Sequence, residues 1–273
     1  MRLDQYVTNQ LFEVSRSFAA KLIEQGRVRV NGQAETKAGY QIRAGDEVVV
    51  DFDPEQPVQS ISLPVLYEDP DCIVINKPVG VLTHSKGEFN PEPTVASFLA
   101  SRVKDLSGER AGIVHRLDRA TSGVLIAAKT PQAFSWLQKQ FAQRKAKKTY
   151  LAIVEGEPTN PEAIIDMPIE RNPRRPQSFR VGQNGKAAQT TYKLLKTSNG
   201  LSLLELRPTT GRTHQLRVHL AHIGHPILGD ELYGGPKAGR MYLHAAELEI
   251  SLLNKRRETF SAPLPKDFKE PLA

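Results

Sequence analysis

The sequence predicts an α+β protein, with a large domain on a mixed, largely antiparallel sheet preceded by a small α/β domain. Three observations carry this reading. Strand patterns follow one another through hairpin turns, as QTTYKLLK and LSLLELRP do around Ser198-Asn199-Gly200. Regular alternation of strand and helix is missing beyond residue 58, which disfavours a parallel sheet. The stretch DPEQPVQS, residues 53–60 with Pro54 and Pro57, has the composition of a linker. The domains are therefore expected to span residues 1–57 and 58–273.

The elements follow in order. RLDQYVTNQLF places Leu3, Tyr6, Val7 and Leu11 on one helical face. A second helix begins at the N-cap Ser15 and stops at Gly26. RVRV alternates as a strand and enters the hairpin turn Asn31-Gly32, and Gly45-Asp46 turns the chain into the strand EVVVDF. In the larger domain PVLYE and CIVINK flank the turn Asp69-Pro70-Asp71, and GVLIAAK is a strand. PQAFSWLQKQFAQRKAK reads as a helix with Phe134, Leu137 and Phe141 on one face. TYLAIVEG and a last strand in LEISLLNKRRETFSAP complete the sheet, and THQLRVHLAHIG is a helix ended by Gly224.

Composition narrows the functional classes. Of 273 residues, 39% are hydrophobic and 25% charged, enough apolar material for a buried core. The longest aliphatic run, Val124 to Ala128, falls far short of the ~20 residues a membrane helix needs. The first residues, MRLDQYVTNQLFEVSRS, lack the apolar core of an export signal, so a cytoplasmic location is expected. Cys72 is the only cysteine, which rules out an internal disulfide and a cysteine-built zinc site.

The net charge of +7 is unevenly spread. Acids outnumber bases before residue 58, whereas residues 129–150, 171–186 and 206–229 hold bases and not one carboxylate. Three separate basic blocks point to a polyanion partner. Solvated helix faces and loops explain any single block, but less easily all three.

The sharpest local signal is HRLDRATSG, residues 115–123, where Asp118 lies in a polar loop between Arg116 and Arg119. Neighbouring guanidiniums favour the anionic form of a carboxylate, which suits a nucleophile or base. A structural Asp holding a turn is the competing reading from physics alone.

HRLDRATSG resembles the catalytic motif of the RluA-type pseudouridine synthases, and other segments agree with that family in order and spacing. They are EDPDCIVINKPVGVLTH (68–84), KKTYLAIVEG (147–156), GKAAQTTYKLL (185–195), RPTTGRTHQLRVHLAHIGHPILGDELYGG (207–235) and YLHA (242–245). SRSFAAKLIEQGRVRVNG and GDEVVV resemble the S-four RNA-binding domain that several related synthases carry ahead of the catalytic one. The last strand departs from the family in lacking its frequent His-Pro.

The resemblance implies the pseudouridine synthase fold and an isomerase that turns uridine into pseudouridine, without cofactor or metal. It makes Asp118 the catalytic residue, attacking the anomeric carbon of the sugar or removing a sugar proton to give a glycal. Arg212 is the family position expected to pair with Asp118. Tyr150 is expected against the base, Leu243 on the apolar side of the pocket, and Arg116 in the gap left by the extruded base. RNA contacts are expected from Arg16, Lys21, Arg27 and Arg29 in the small domain. Lys147, Lys148, Arg174 and Arg175 extend them in the large one. RNA, with no membrane or metal, is the expected partner, and the protein is expected to act as a monomer. The favoured substrate is large-subunit ribosomal RNA, with transfer RNA as the alternative. A non-catalytic RNA-binding or assembly factor and an N-glycosidic hydrolase are the rival functions. The first need not keep Asp118, Tyr150 and Arg212 together, and the second usually needs another carboxylate across the bond.

Other residues invite readings that weigh less. His214, His219, His222 and His225 invite a metal reading, the last three at H-x-x-H-x-x-H spacing, but the helix should stop at Gly224, before His225, so RNA contact or buried hydrogen bonding fits better. Cys72, in the apolar strand CIVIN, reads as a small buried hydrophobe. YGGPKAG lacks the strand and helix that a dinucleotide fingerprint requires.

Overall fold

The computed structural model describes residues 1–11, 14–52, 61–84, 92–103, 105–106 and 112–273. The expected linker at 53–60 lies outside these described residues.

The N-terminal elements are α1 (Leu3–Gln10), α2 (Arg16–Glu24), β1 (Val28–Val30), β2 (Gln33–Ala34) and β3 (Val48–Val50). Ser15 caps α2 by accepting the Phe18 N–H at 3.3 Å. Asn31 and Gly32 both take positive φ, 51° and 80°, which turns β1 tightly into β2. Leu3 and Val7 of α1 pack with Ala19, Leu22 and Ile23 of α2 against Val28 and Val30, which closes a small core. Arg29 between those valines faces outward.

Next along the chain come β4 (Val65–Glu68), β5 (Cys72–Lys77), α3 (Val95–Leu99), β6 (Ser122–Ala128), α4 (Pro131–Ala142) and β7 (Lys147–Glu155). After them are β8 (Glu162–Asp166), β9 (Ile169–Arg171), β10 (Phe179–Val181), β11 (Gln189–Ser198) and β12 (Leu201–Pro208). The chain closes with α5 (Gln215–His222), β13 (Leu243–Ser251) and β14 (Arg257–Ser261). One sheet runs β4-β5-β6-β13-β7-β12-β11-β8, with β14 against the far end of β13, while β9 and β10 form a separate hairpin. Among the described residues every strand pairing is antiparallel except that of β6 with β13.

That parallel pairing positions the site. His244 lies opposite Ser122 and Ala245 opposite Gly123, so the segments leading into the two strands emerge side by side. Gly123 holds φ at 115°, and a Cβ there would collide with the Ala245 carbonyl. On the other flank of β13, Tyr150 of β7 pairs with Ala245. The same Tyr150 pairs with Leu206 of β12. Four strand ends thus meet near one point, and α5, returning from β12, packs Leu216 and Leu220 against their apolar face.

The helix expected over 131–147 ends at Ala142, because Arg144 turns left-handed at φ 58° and releases the chain into β7. The expected last strand is the hairpin β13–β14, reversed around Asn254 and Lys255. α3 and strands β8 to β10 had no clear periodicity to announce them. Cys72 is buried in β5 as expected.

Asp4, on α1, accepts hydrogen bonds from Arg2 at 3.0 Å and from Arg16 at 3.0 Å. The Arg2 bond, helped by Arg16, holds its carboxyl down to about 2 while burial pushes the other way. The folded value lies below the ~3.9 of a free Asp. Its stabilisation is therefore complete above the free value and disappears as pH falls through about 2. Asp4→Asn should lower the melting temperature of the N-terminal elements at pH 7, and the gap from wild type should close as pH nears 2. Calorimetry across that range checks this, and a gap independent of pH would remove the carboxylate as its source.

Candidate active site

Asp118 sits in the turn that feeds β6, and its carbonyl accepts the Thr121 N–H at 3.0 Å. Residues 77–83 stitch this turn in place. The Thr83 hydroxyl donates to the Leu117 carbonyl at 2.8 Å and accepts the Leu117 N–H at 3.2 Å. Lys77, wholly buried, donates to the carbonyls of Pro78, Val81 and Arg119 at 2.9, 2.8 and 3.3 Å. Those three bonds use every donor an ammonium has. Burial pushes Lys77 down to about 7, and the Asp118 charge resists the fall.

The guanidinium that meets Asp118 comes from α5. Arg217 Nη1 donates to Asp118 Oδ2 at 3.3 Å. Through Nε and Nη2 the same side chain grips Asp230 with two bonds of 2.7 Å. Arg217 and Asp230 are buried, whereas the Asp118 side chain keeps 21% exposure. Among the described residues Oδ1 of Asp118 takes no hydrogen bond, so only one oxygen of the carboxylate is held.

Here the sequence expectation needs correction. Arg212 makes no ion pair with Asp118; its Nε donates to the Ala187 carbonyl at 3.0 Å, and its N–H to Gln215 Oε1 at 3.0 Å. The physical reason is where the helix starts. Arg212 precedes α5 and is tied toward β11, while Arg217 lies within the helix on the side facing Asp118 and Asp230. The arginines flanking Asp118 in sequence turn elsewhere as well. Arg116 Nη1 lies 3.4 Å from His84 Nε2, and Arg119 pairs with Glu92.

Asp118, Arg116, Tyr150, Arg212 and Leu243 nevertheless line one cavity of about 120 Å³. Burial, with the Asp118 charge second, raises the Tyr150 phenol, which keeps its proton at neutral pH. Lys148 also belongs to this wall rather than to an exposed basic strip. Its Nζ donates to the Thr210 carbonyl at 2.9 Å, and burial pushes it down to about 8.

The other expected RNA contacts are distributed over the surface. Arg16 is engaged by Asp4, Lys21 lies 3.5 Å from Glu92, and Arg27 lies 3.7 Å from Asp51. Lys147 lies 3.4 Å from Glu249. Arg29, Arg174 and Arg175 are exposed, the last two in the turn between β9 and β10. Of the histidines spaced as ligands, His219 spans Thr190 and the Met167 carbonyl, and His225 donates to the Glu155 carbonyl.

Sequence reasoning passed over Arg217, Asp230 and Tyr233 as site residues, and weighed His214 only against a metal-ligand role. All four lie within the matched segment 207–235, so the signal was present; nothing in the string said which of its side chains meet.

The assembled geometry is the Asp118 carboxyl group held by one oxygen, a protonated phenol and an apolar wall, all within a basic cavity. A family profile described as RNA pseudouridylate synthase matches residues 71–222, more than half of the chain. The chain belongs to that family. It is an RNA pseudouridine synthase, an isomerase, and an S4 domain profile matches its residues 1–48. It is 36% identical to ribosomal large subunit pseudouridine synthase D of Borreliella burgdorferi, over 98% of this chain and 87% of the relative. The protein of that name from Xylella fastidiosa is 37% identical, over 100% of this chain and 88% of its own. Among solved structures, human RNA pseudouridylate synthase domain containing 1 superposes with a TM-score of 0.63 at 28% identity, over 76% of this chain and 86% of that one.

Asp118→Asn keeps the shape and removes the anion, so this variant should fold and bind RNA yet make pseudouridine at least ~10²-fold more slowly. Activity within tenfold of wild type would end the catalytic assignment of Asp118. Arg217→Lys keeps the charge but cannot bridge two carboxylates in a planar fork. Its single-turnover rate should fall by roughly 10²-fold, well beyond the loss for Arg212→Lys. The reverse ranking would return the pairing role to Arg212.

Proposed function

We propose that this synthase modifies uridines of large-subunit ribosomal RNA. The observation that carries the proposal is the similarity, over almost the entire chain, to relatives named ribosomal large subunit pseudouridine synthase D. Likeness confined to the catalytic half would not have favoured one RNA over another. Residues 1–57 form the RNA-binding domain and residues 58–273 the catalytic one, and a ribosomal substrate fits a cytoplasmic enzyme.

In this reading the target uridine leaves its stack, at a cost of roughly a few kcal/mol, and enters the cavity beside Asp118. Arg116, exposed at the rim, fills the space the base vacates. The ring of Tyr150 supports the uracil, a stacking interaction worth roughly 1–3 kcal/mol, and Leu243 closes the apolar side. Oδ1 of Asp118 attacks C1′ or draws a proton from the sugar, and the bond from C1′ to N1 breaks. The uracil turns and C5 bonds to C1′ as the ester to Asp118 breaks or, in the glycal route, as Asp118 returns the sugar proton; the proton on C5 departs and N1 gains one. Nothing is oxidised and no group is supplied from outside, so the isomerisation requires neither cofactor nor Lewis acid.

Mapping pseudouridines across all stable RNAs in cells with and without this gene tests the substrate. Sites missing from large-subunit ribosomal RNA support it, and sites missing only from transfer RNA overturn it. Activity should persist in EDTA when the RNA stays folded, and activity abolished by chelation and restored by added metal would refute the metal-free chemistry. Removing residues 1–57 should weaken RNA binding and flatten its salt dependence by a slope of roughly 0.7–0.9 for each phosphate those residues neutralise. Unchanged affinity and slope, measured by titration at several salt concentrations, would give those residues another purpose.

A further inference from the structure

A chain of polar contacts runs from the β9–β10 hairpin to the carboxylate of Asp118, and the family reading gives it no task. The Phe179 backbone N–H donates to the Tyr233 hydroxyl at 2.9 Å. That hydroxyl lies 2.7 Å from Nδ1 of His214, and Nε2 of His214 faces Asp118 Oδ2 at 3.8 Å. The Phe179 main-chain N–H can only donate, so it occupies a lone pair of the phenol oxygen and leaves the phenol proton available to Nδ1. An imidazole that accepts that proton carries its own hydrogen on Nε2, the nitrogen turned toward Asp118.

The backbone tells the same story. His214 stands immediately before α5 at φ 56°, a left-handed conformation uncommon among non-glycine residues. Such a geometry persists where the surroundings over-determine it. Here the rings of Phe179 and Tyr233 both meet the imidazole edge-on, each at 5.6 Å. The Tyr233 ring also lies 4.9 Å beneath the Arg217 guanidinium. One tyrosine therefore supports both groups that approach Oδ2.

We propose that His214 is a positioning residue for Asp118, and that Tyr233 is the post by which the β9–β10 hairpin holds it there. With Arg217 bonded to Oδ2 and Nε2 of His214 facing the same oxygen, rotation of the carboxylate is restrained and Oδ1 keeps its heading toward the sugar. The hairpin that carries Arg174 and Arg175 thereby becomes part of the support of the reacting group. This inference rests on the pseudouridine synthase reading of the same pocket.

His214→Asn, whose side chain tolerates the left-handed backbone, and Tyr233→Phe, which removes only the hydroxyl, test it singly and together. Single-turnover rates at saturating enzyme are measured on an RNA the wild type modifies, and affinities for that RNA by titration. Each single variant should drop about tenfold or more in rate and keep its dissociation constant within about threefold. The double variant should be no slower than the slower single one, because both changes break the same chain. Hydrogen exchange without RNA should show the Phe179 amide exchanging faster in Tyr233→Phe. Smaller rate losses, losses that multiply in the double variant, or losses confined to affinity would each overturn the inference. A wild type that makes no pseudouridine in any RNA would instead remove the enzymatic reading, and this inference with it.

Discussion

Everything at the site depends on one guanidinium shared between two carboxylates. Removing a buried carboxylate's partner typically costs about 3–5 kcal/mol, because the charge left behind has been stripped of its water. Asp230 therefore fixes Arg217 through two short bonds, and the remaining Nη1 is delivered to Asp118 with little freedom. The restraint passes outward from there. α5 must start at Gln215 for Arg217 to face inward, and Gln215 secures that start by bonding the Thr210 hydroxyl and the Arg212 amide. Its amide nitrogen reaches the Gln189 carbonyl on the edge of β11. One neutral side chain thus fixes the helix on which the site is hung.

The sheet supplies the second half of the geometry. A parallel pair inside an antiparallel sheet brings two strand entrances to the same end, here the turn holding Asp118 and the segment leading to Leu243. The approach is so close that Gly123 leaves no room for a side chain beside the Ala245 carbonyl. Lys77 then closes the turn from beneath, placing its donors on three carbonyls of two separate loops. Burying an ammonium is costly unless its donors are filled, and this arrangement fills them.

Electrostatics divides the basic residues into two populations. Exposed arginines, such as Arg29, Arg174 and Arg175, keep their charge in solvent. Lys148 and Arg217 are withdrawn into the cavity wall, where burial alters Lys148 and ion pairing fixes Arg217. The same net positive charge is thus divided between the solvent-exposed surface and the cavity wall.

The sequence by itself determined much of this protein. Local chemistry spoke plainly in Ser15 as a cap, in Asn31-Gly32 as a hairpin, in the alternation of LSLLELRP and in the polar turn around Asp118. Family motifs added the isomerase and the cavity residues Arg116, Tyr150, Arg212 and Leu243. Tertiary structure alone decided which arginine of GRTHQLR meets Asp118, that Lys148 is a wall residue, and that Phe179, Tyr233 and His214 form one chain. The reason is physical. Caps, turns and periodicity act over a few residues and leave a mark in the string. Arg217 and Asp118 are far apart in sequence, and they meet only because the start of α5 and the register of β6 on β13 bring them to one place.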